Sequence, residues 1–157
     1  MNVDVEKIVR EYLDKTVHMS LATVSGDRPW VCEVHFVYDD SLNLYFRSQE
    51  SRRHSQEIAQ NSHVAGNIVR QHEVMEYPNA IYFEGTAMLV SNSAQITEIG
   101  QYFKDRLNVP DNIAEDAIRE NGHKFYEITV EKWYAFGKFG GDKGVKHELV
   151  WNGGKKS

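Results

Sequence analysis

The chain has 157 residues, enough for one domain with a core of its own. Its 18 basic and 23 acidic residues give a formal charge of −5, which excludes a general attraction to nucleic acid or anionic membrane; any anion site must be a local gathering of positive charge. The single cysteine, Cys32, excludes an intramolecular disulfide and points to a reducing compartment.

The opening "MNVDVEKIVREYLDK" is charged throughout, without the apolar stretch of a signal peptide. No apolar run approaches the roughly 20 residues that span a bilayer, so a soluble, cytoplasmic protein is expected. Val5, Ile8, Val9, Tyr12 and Leu13 recur at helical spacing and predict an N-terminal helix over residues 1–15. The period then changes to two. Val17, Met19 and Leu21 alternate with polar or small residues, "SGDRP" turns the chain, and a second strand runs from about Trp30 to Tyr38. "DDSLN" leads into a third strand over Leu42 to Arg47, with Leu44 and Phe46 on one face and Tyr45 and Arg47 on the other.

A helix is predicted to start at Ser51, a good N-cap, which leaves Arg52 and Arg53 in its first turn. Strands follow over His63 to Val69 and Ala80 to Val90, separated by the polar loop "RQHEVMEYPN". Ile96, Ile99, Phe103 and Leu107 mark one further helix, and Ile113, Ala114, Ala117 and Ile118 a shorter one. Strand patterns resume over Phe125 to Val130 and Tyr134 to Phe139. "FGGDKG" reads as a hairpin into a last strand, Val145 to Trp151, and residues 152–157 read as a flexible tail. The order is not the regular β–α alternation of a parallel sheet. It predicts a mainly β fold, an antiparallel barrel or sandwich with peripheral helices.

Two arginines at a helix N-terminus are unfavourable there unless they face an anion, because that end already carries partial positive charge. Guanidinium groups beside free backbone N–H groups would bind a phosphate well, and Ser48 could add a hydroxyl. The competing reading pairs Arg53 with Glu57 at i+4 and leaves Arg52 solvated. Histidine and cysteine spacings match no metal motif, so no metal site is expected; His18 and His35 read as structural residues on strands. Cys32 reads as a buried thiol, and the strand aromatics as core or dimer interface.

The stretch Met19 to Val69 resembles the pyridoxamine 5′-phosphate oxidase-like FMN-binding split-barrel family. It has, in order, the "LAT" strand, a Gly-x-x-Pro turn at Gly26 to Pro29, and the "VHF" strand. The "YDD" hairpin, the "LYF" strand, a Ser-Arg-Arg helix start where the family has Ser-Arg-Lys, and "NSHVAG" then follow. The resemblance implies a single FMN-binding split-barrel domain over residues 1–157 and a homodimer with FMN at the subunit interface. It implies that Ser51, Arg52 and Arg53 hold the flavin phosphate, that Phe46, Arg47 and Ser48 lie beside the ribityl-phosphate chain, and that Val31, Cys32, Glu33 and Val34 run along the ring system. The Arg-x-His segment with which the B6 biosynthetic oxidases grip their substrate has no match in residues 145–157, so pyridoxamine phosphate oxidation is not implied. The function implied is a flavin-dependent oxidoreductase of unknown substrate, with no catalytic residue named. The alternatives are non-catalytic storage of flavin or haem, for which His35, His147 and Tyr134 are the candidate axial ligands, or a deazaflavin protein.

Overall fold

The computed structural model describes residues 2–140 and 142–152; the expected tail lies outside this range beyond Asn152. Helix α1 (Val5–Lys15) is followed by β1 (His18–Ser25), β2 (Arg28–Tyr38), β3 (Leu44–Ser48), α2 (Arg53–Gln60), β4 (His63–Val69) and β5 (Ala80–Leu89). Then come α3 (Ser93–Leu107), α4 (Ile113–Ile118), β6 (Lys124–Phe139) and β7 (Asp142–Val150). All seven strands belong to one antiparallel sheet, ordered β3-β2-β1-β4-β5-β6-β7.

An extra pairing between β3 and β6 closes six of these strands into a ring. The sequence pattern splits residues 125–139 into two strands, whereas the chain forms one of 16 residues. The interruption in the pattern is a bulge: Glu84 opposes Lys132 while Gly85 opposes Val130, which leaves Glu131 unmatched and resets the alternation. The bulge divides the work of β6. Residues up to Ile128 pair with β3 and close the barrel, and residues from Lys132 pair with β7. Gly85 allows the close approach, because a Cβ there would sit 2.2 Å from the Thr129 carbonyl oxygen.

Alternation fills the barrel with Met19, Leu21, Phe36, Leu44, Phe46, Ile68, Ile81, Phe83, Ile128 and Trp133, and α1 packs onto this cluster through Val5, Val9, Tyr12 and Leu13. A second cluster lies outside the ring. There Val37, Tyr45 and Phe125 are covered by Ile96, Ile99 and Phe103 of α3 and Ile113 and Ala117 of α4. The opposite faces expected for Phe46 and Tyr45 are therefore the two cores. No helix of the described residues is long and apolar enough to cross a membrane.

Candidate functional site

Helix α2 begins at Arg53, two residues later than Ser51 predicts, and its N-cap is Arg52. The reason is local. The Arg52 N–H donates to the Gln49 carbonyl at 3.1 Å, so Glu50 and Ser51 form the corner of a turn, and the first helical bond runs from Gln56 N–H to Arg52 O at 3.0 Å. Ser51 is exposed in that turn and caps nothing. The first turn of α2 therefore has neither a side-chain cap nor an acidic residue, and its N–H groups stay available.

The two arginines take different parts. Arg53 Nε donates to Glu57 at 2.9 Å, and its guanidinium lies over the Trp30 ring at 4.1 Å. This is the i+4 pairing that the competing sequence reading describes. Glu57 is itself buried at the barrel mouth, where its other oxygen accepts from Thr23 Oγ1 at 2.9 Å. The Arg53 hydrogen bond holds the Glu57 carboxyl below its ordinary range, against its burial and with help from Thr23. Glu57 takes Arg53 through Nε, and the terminal amino groups of that guanidinium make no hydrogen bond among the described residues. The Arg52 side chain has no hydrogen-bond partner among the described residues.

Arg52 lines a cleft of about 350 Å³ between the β2–β3 edge, the start of α2 and the α3–α4 layer. Arg47, Ser48 and Gln49 form its floor, His54 and Arg52 one side, Glu33, Val34 and His35 another, and Phe103, Leu107, Val109 and His123 the far wall. Arg47 Nε and His54 Nε2 are buried with no hydrogen-bond partner among the described residues. Burial pushes the His54 imidazole down, and the charge of Arg52 adds to the effect, so His54 is neutral at pH 7. The Ser48 hydroxyl is held at 2.9 Å by Ser55, which ties the end of β3 to α2.

Of the residues expected at the site, Glu33, Val34, Arg47, Ser48 and Arg52 line this cleft. Phe46 turns into the barrel core, under His54 at 6.1 Å between rings, and Cys32 packs partly buried against the same core. Burial, then the charges of Glu33 and Glu57, push the Cys32 thiol up. Val31 is 60% exposed on the outer face of the sheet. His18 and His35 are exposed there as well, His18 at 3.0 Å from Glu33. Gln49, His54, His123, Phe103, Leu107 and Val109 also line the cleft and are not among the residues that the sequence implies. His54 follows the arginine pair directly and carried a local signal; His123 and the α3 residues reach the cleft only through tertiary packing.

These features define a class: an antiparallel split barrel with a basic cleft where the third strand runs into a helix. The chain belongs to the pyridoxamine 5′-phosphate oxidase family, whose profile matches residues 5–137. No curated protein matches it by sequence. Among solved structures it is similar to a haem-binding protein from Mycobacterium smegmatis (14% identity, TM-score 0.74), covering 98% of this chain and 61% of that one. It is also similar to HutZ, the haem storage protein of Vibrio cholerae (15%, 0.65), over 96% of this chain and 95% of that one. General Stress Protein 26 of Bacillus anthracis (18%, 0.61) aligns over 83% and 92%. At these identities the likeness is one of fold.

The Glu57 pair has a defined pH window. Its folded pKa lies below the unfolded value, so its stabilisation is complete above the ordinary carboxylate pKa and is lost as pH falls through the lowered one. Melting curves of wild type and Glu57→Gln should differ most at neutral pH, and the gap should close below about pH 4. A gap that stays constant down to pH 3 would mean that the pair contributes nothing through its charge.

Proposed function

We propose that the cleft holds the phosphate of FMN and that the protein is a flavin-dependent oxidoreductase. The observation that carries this reading is the uncapped first turn of α2, flanked by Arg52 and by the buried, unpartnered nitrogens of Arg47 and His54. A buried guanidinium N–H is costly unless a ligand accepts from it, and the charges of Arg47 and Arg52 suit a phosphate; the neutral His54 adds a hydrogen bond there in the tautomer that carries its proton on Nε2. Arg52 and the N–H groups of the first turn take the phosphate, with the outer amino groups of Arg53 beside them. Arg47 and His54 close it from below, and Glu33, Val34 and His35 flank the ring system where the cleft opens onto β2. When bound, FMN supplies one- and two-electron redox chemistry; the chain supplies binding, orientation and shielding.

A second reading, haem binding without turnover, is supported by the likeness to HutZ and to the mycobacterial haem-binding protein. Its candidate axial ligands differ in availability. Tyr134 donates to Glu84 at 2.8 Å, His147 Nε2 is buried without a partner among the described residues, and His35 is exposed at the cleft.

We infer further that the protein is a homodimer built on the outer face of the sheet. Val31 and Ala65 flank Ala22 in adjacent strands, and Tyr82, stacked at 5.9 Å on Phe136, continues the face outside both buried clusters. Val69 adds a 41% exposed side chain to it. A second copy covering this surface would also cover the open side of the cleft beside Glu33 and His35.

An absorbance spectrum of the purified protein separates flavin bands from a Soret band. With FMN titrated in, Arg52→Ala should weaken binding by about tenfold or more, while riboflavin, lacking the phosphate, should bind both proteins weakly and equally. Equal FMN affinity in the two proteins would remove the phosphate site. For the assembly, light scattering should give a dimer at micromolar concentration, and Val31→Lys should shift it toward monomer. A wild-type monomer with flavin bound would refute the two-chain site.

A further inference from the structure

Behind the cleft lies a carboxylate that the flavin reading does not use. Asp116, on α4, is only 16% exposed in its side chain and gathers three cationic or ionisable residues. Its Oδ2 accepts from Arg47 Nη2 at 3.3 Å and from the His123 backbone N–H at 3.0 Å, with His123 Nδ1 at 3.4 Å; its Oδ1 accepts from Arg119 Nη2 at 2.5 Å. The segment that follows is shaped around it. Asn121 takes the left-handed conformation at φ 63°, and a Cβ on Gly122 would lie 1.8 Å from the Asp116 carbonyl oxygen, so only glycine lets His123 fold back onto the carboxylate. The His123 N–H and then the Arg119 hydrogen bond hold the Asp116 carboxyl below its ordinary range, so it is charged at neutral pH. Glu33, the acid that lines the cleft itself, is already engaged by His18 and by the Ser20 hydroxyl.

We propose that Asp116 is the internal counter-ion of the cleft and sets how tightly the cleft holds an anion. It takes Arg47 by one terminal amino group and leaves the buried Nε without a partner among the described residues, and Arg47 lines the cleft, so a phosphate arriving there shares the guanidinium with the negative charge of Asp116. The carboxylate keeps Arg47 compensated when no ligand is bound, and it repels the ligand when one is. The affinity of the cleft is thereby held below what its basic residues alone would give, which suits a ligand that exchanges. The inference rests on the cleft being an anion site; FMN is the ligand that the preceding reading assigns to it.

Asp116→Asn removes the charge and keeps an oxygen to accept from His123 and Arg47. FMN, riboflavin and inorganic phosphate are titrated into wild type, Asp116→Asn and Glu115→Gln, the last removing a charge from an exposed neighbour on the same helix. Asp116→Asn should tighten FMN by roughly five- to thirtyfold and inorganic phosphate by a smaller factor, leave riboflavin unchanged, and lower the melting temperature of the ligand-free protein. Glu115→Gln should move none of these appreciably. Phosphate and FMN binding that are unchanged or weaker in Asp116→Asn, including no binding to any of the proteins, would overturn the proposal, as would equal tightening by Glu115→Gln. Tightening of inorganic phosphate alone, with FMN ignored by every variant, would uphold the counter-ion and remove FMN as the ligand.

Discussion

The buried carboxylate of Glu57 is the constraint on which the site depends. It joins Thr23 of β1 to Arg53 at the first turn of α2, and Arg53 in turn lies on Trp30 of β2. Thr23 and Trp30 are cross-strand partners, so one ion pair pins the start of the helix to two strands of the barrel. The Ser55–Ser48 hydrogen bond fixes the same helix to the end of β3. With α2 held from both sides, its uncapped N–H groups have a fixed direction, and Arg52 stands at the rim with no hydrogen-bond partner among the described residues. An anion-facing arginine pair and an i+4 ion pair with Glu57 are alternatives in the sequence. In the structure they divide between the residues: Arg53 supports the helix, and Arg52 faces the cleft.

A net charge of −5 is compatible with an anion site because the positive groups are gathered and the negative ones are distributed. Arg47 and Arg52 border one cleft, against Glu33 on the rim and Asp116 behind Arg47. Burial at this spot strengthens every remaining interaction, since a half-buried guanidinium is poorly screened by solvent. The far wall contributes Phe103, Leu107 and Val109, so a ligand there meets charge on one side and apolar surface on the other.

Much of the fold was legible in the chain because strand alternation and helix spacing are local signals. The alternation sets Tyr45 and Arg47 on the face opposite Leu44 and Phe46, as the strand has them, and the ordered motifs from Met19 to Val69 point to the family. Two features were not legible. The bulge at Glu131 breaks the alternation of β6 without ending the strand, so the pattern reads as two strands where there is one. The start of α2 depends on a turn closed by the Gln49 carbonyl, which outweighs the capping preference of Ser51. The cleft was legible only on its near side. Arg47, Ser48 and Arg52 are near one another along the chain, whereas His123 and Phe103 reach the cleft, and Asp116 reaches Arg47 behind it, because α3 and α4 pack on Val37, Tyr45 and Phe125.

The most direct test is the response of the backbone N–H groups of Arg53, His54 and Ser55 to added ligand, followed by amide NMR. The account predicts that FMN and inorganic phosphate shift these three resonances together, and that riboflavin leaves them in place. Unshifted first-turn amides at saturating FMN, with the changes confined to other parts of the barrel, would contradict it.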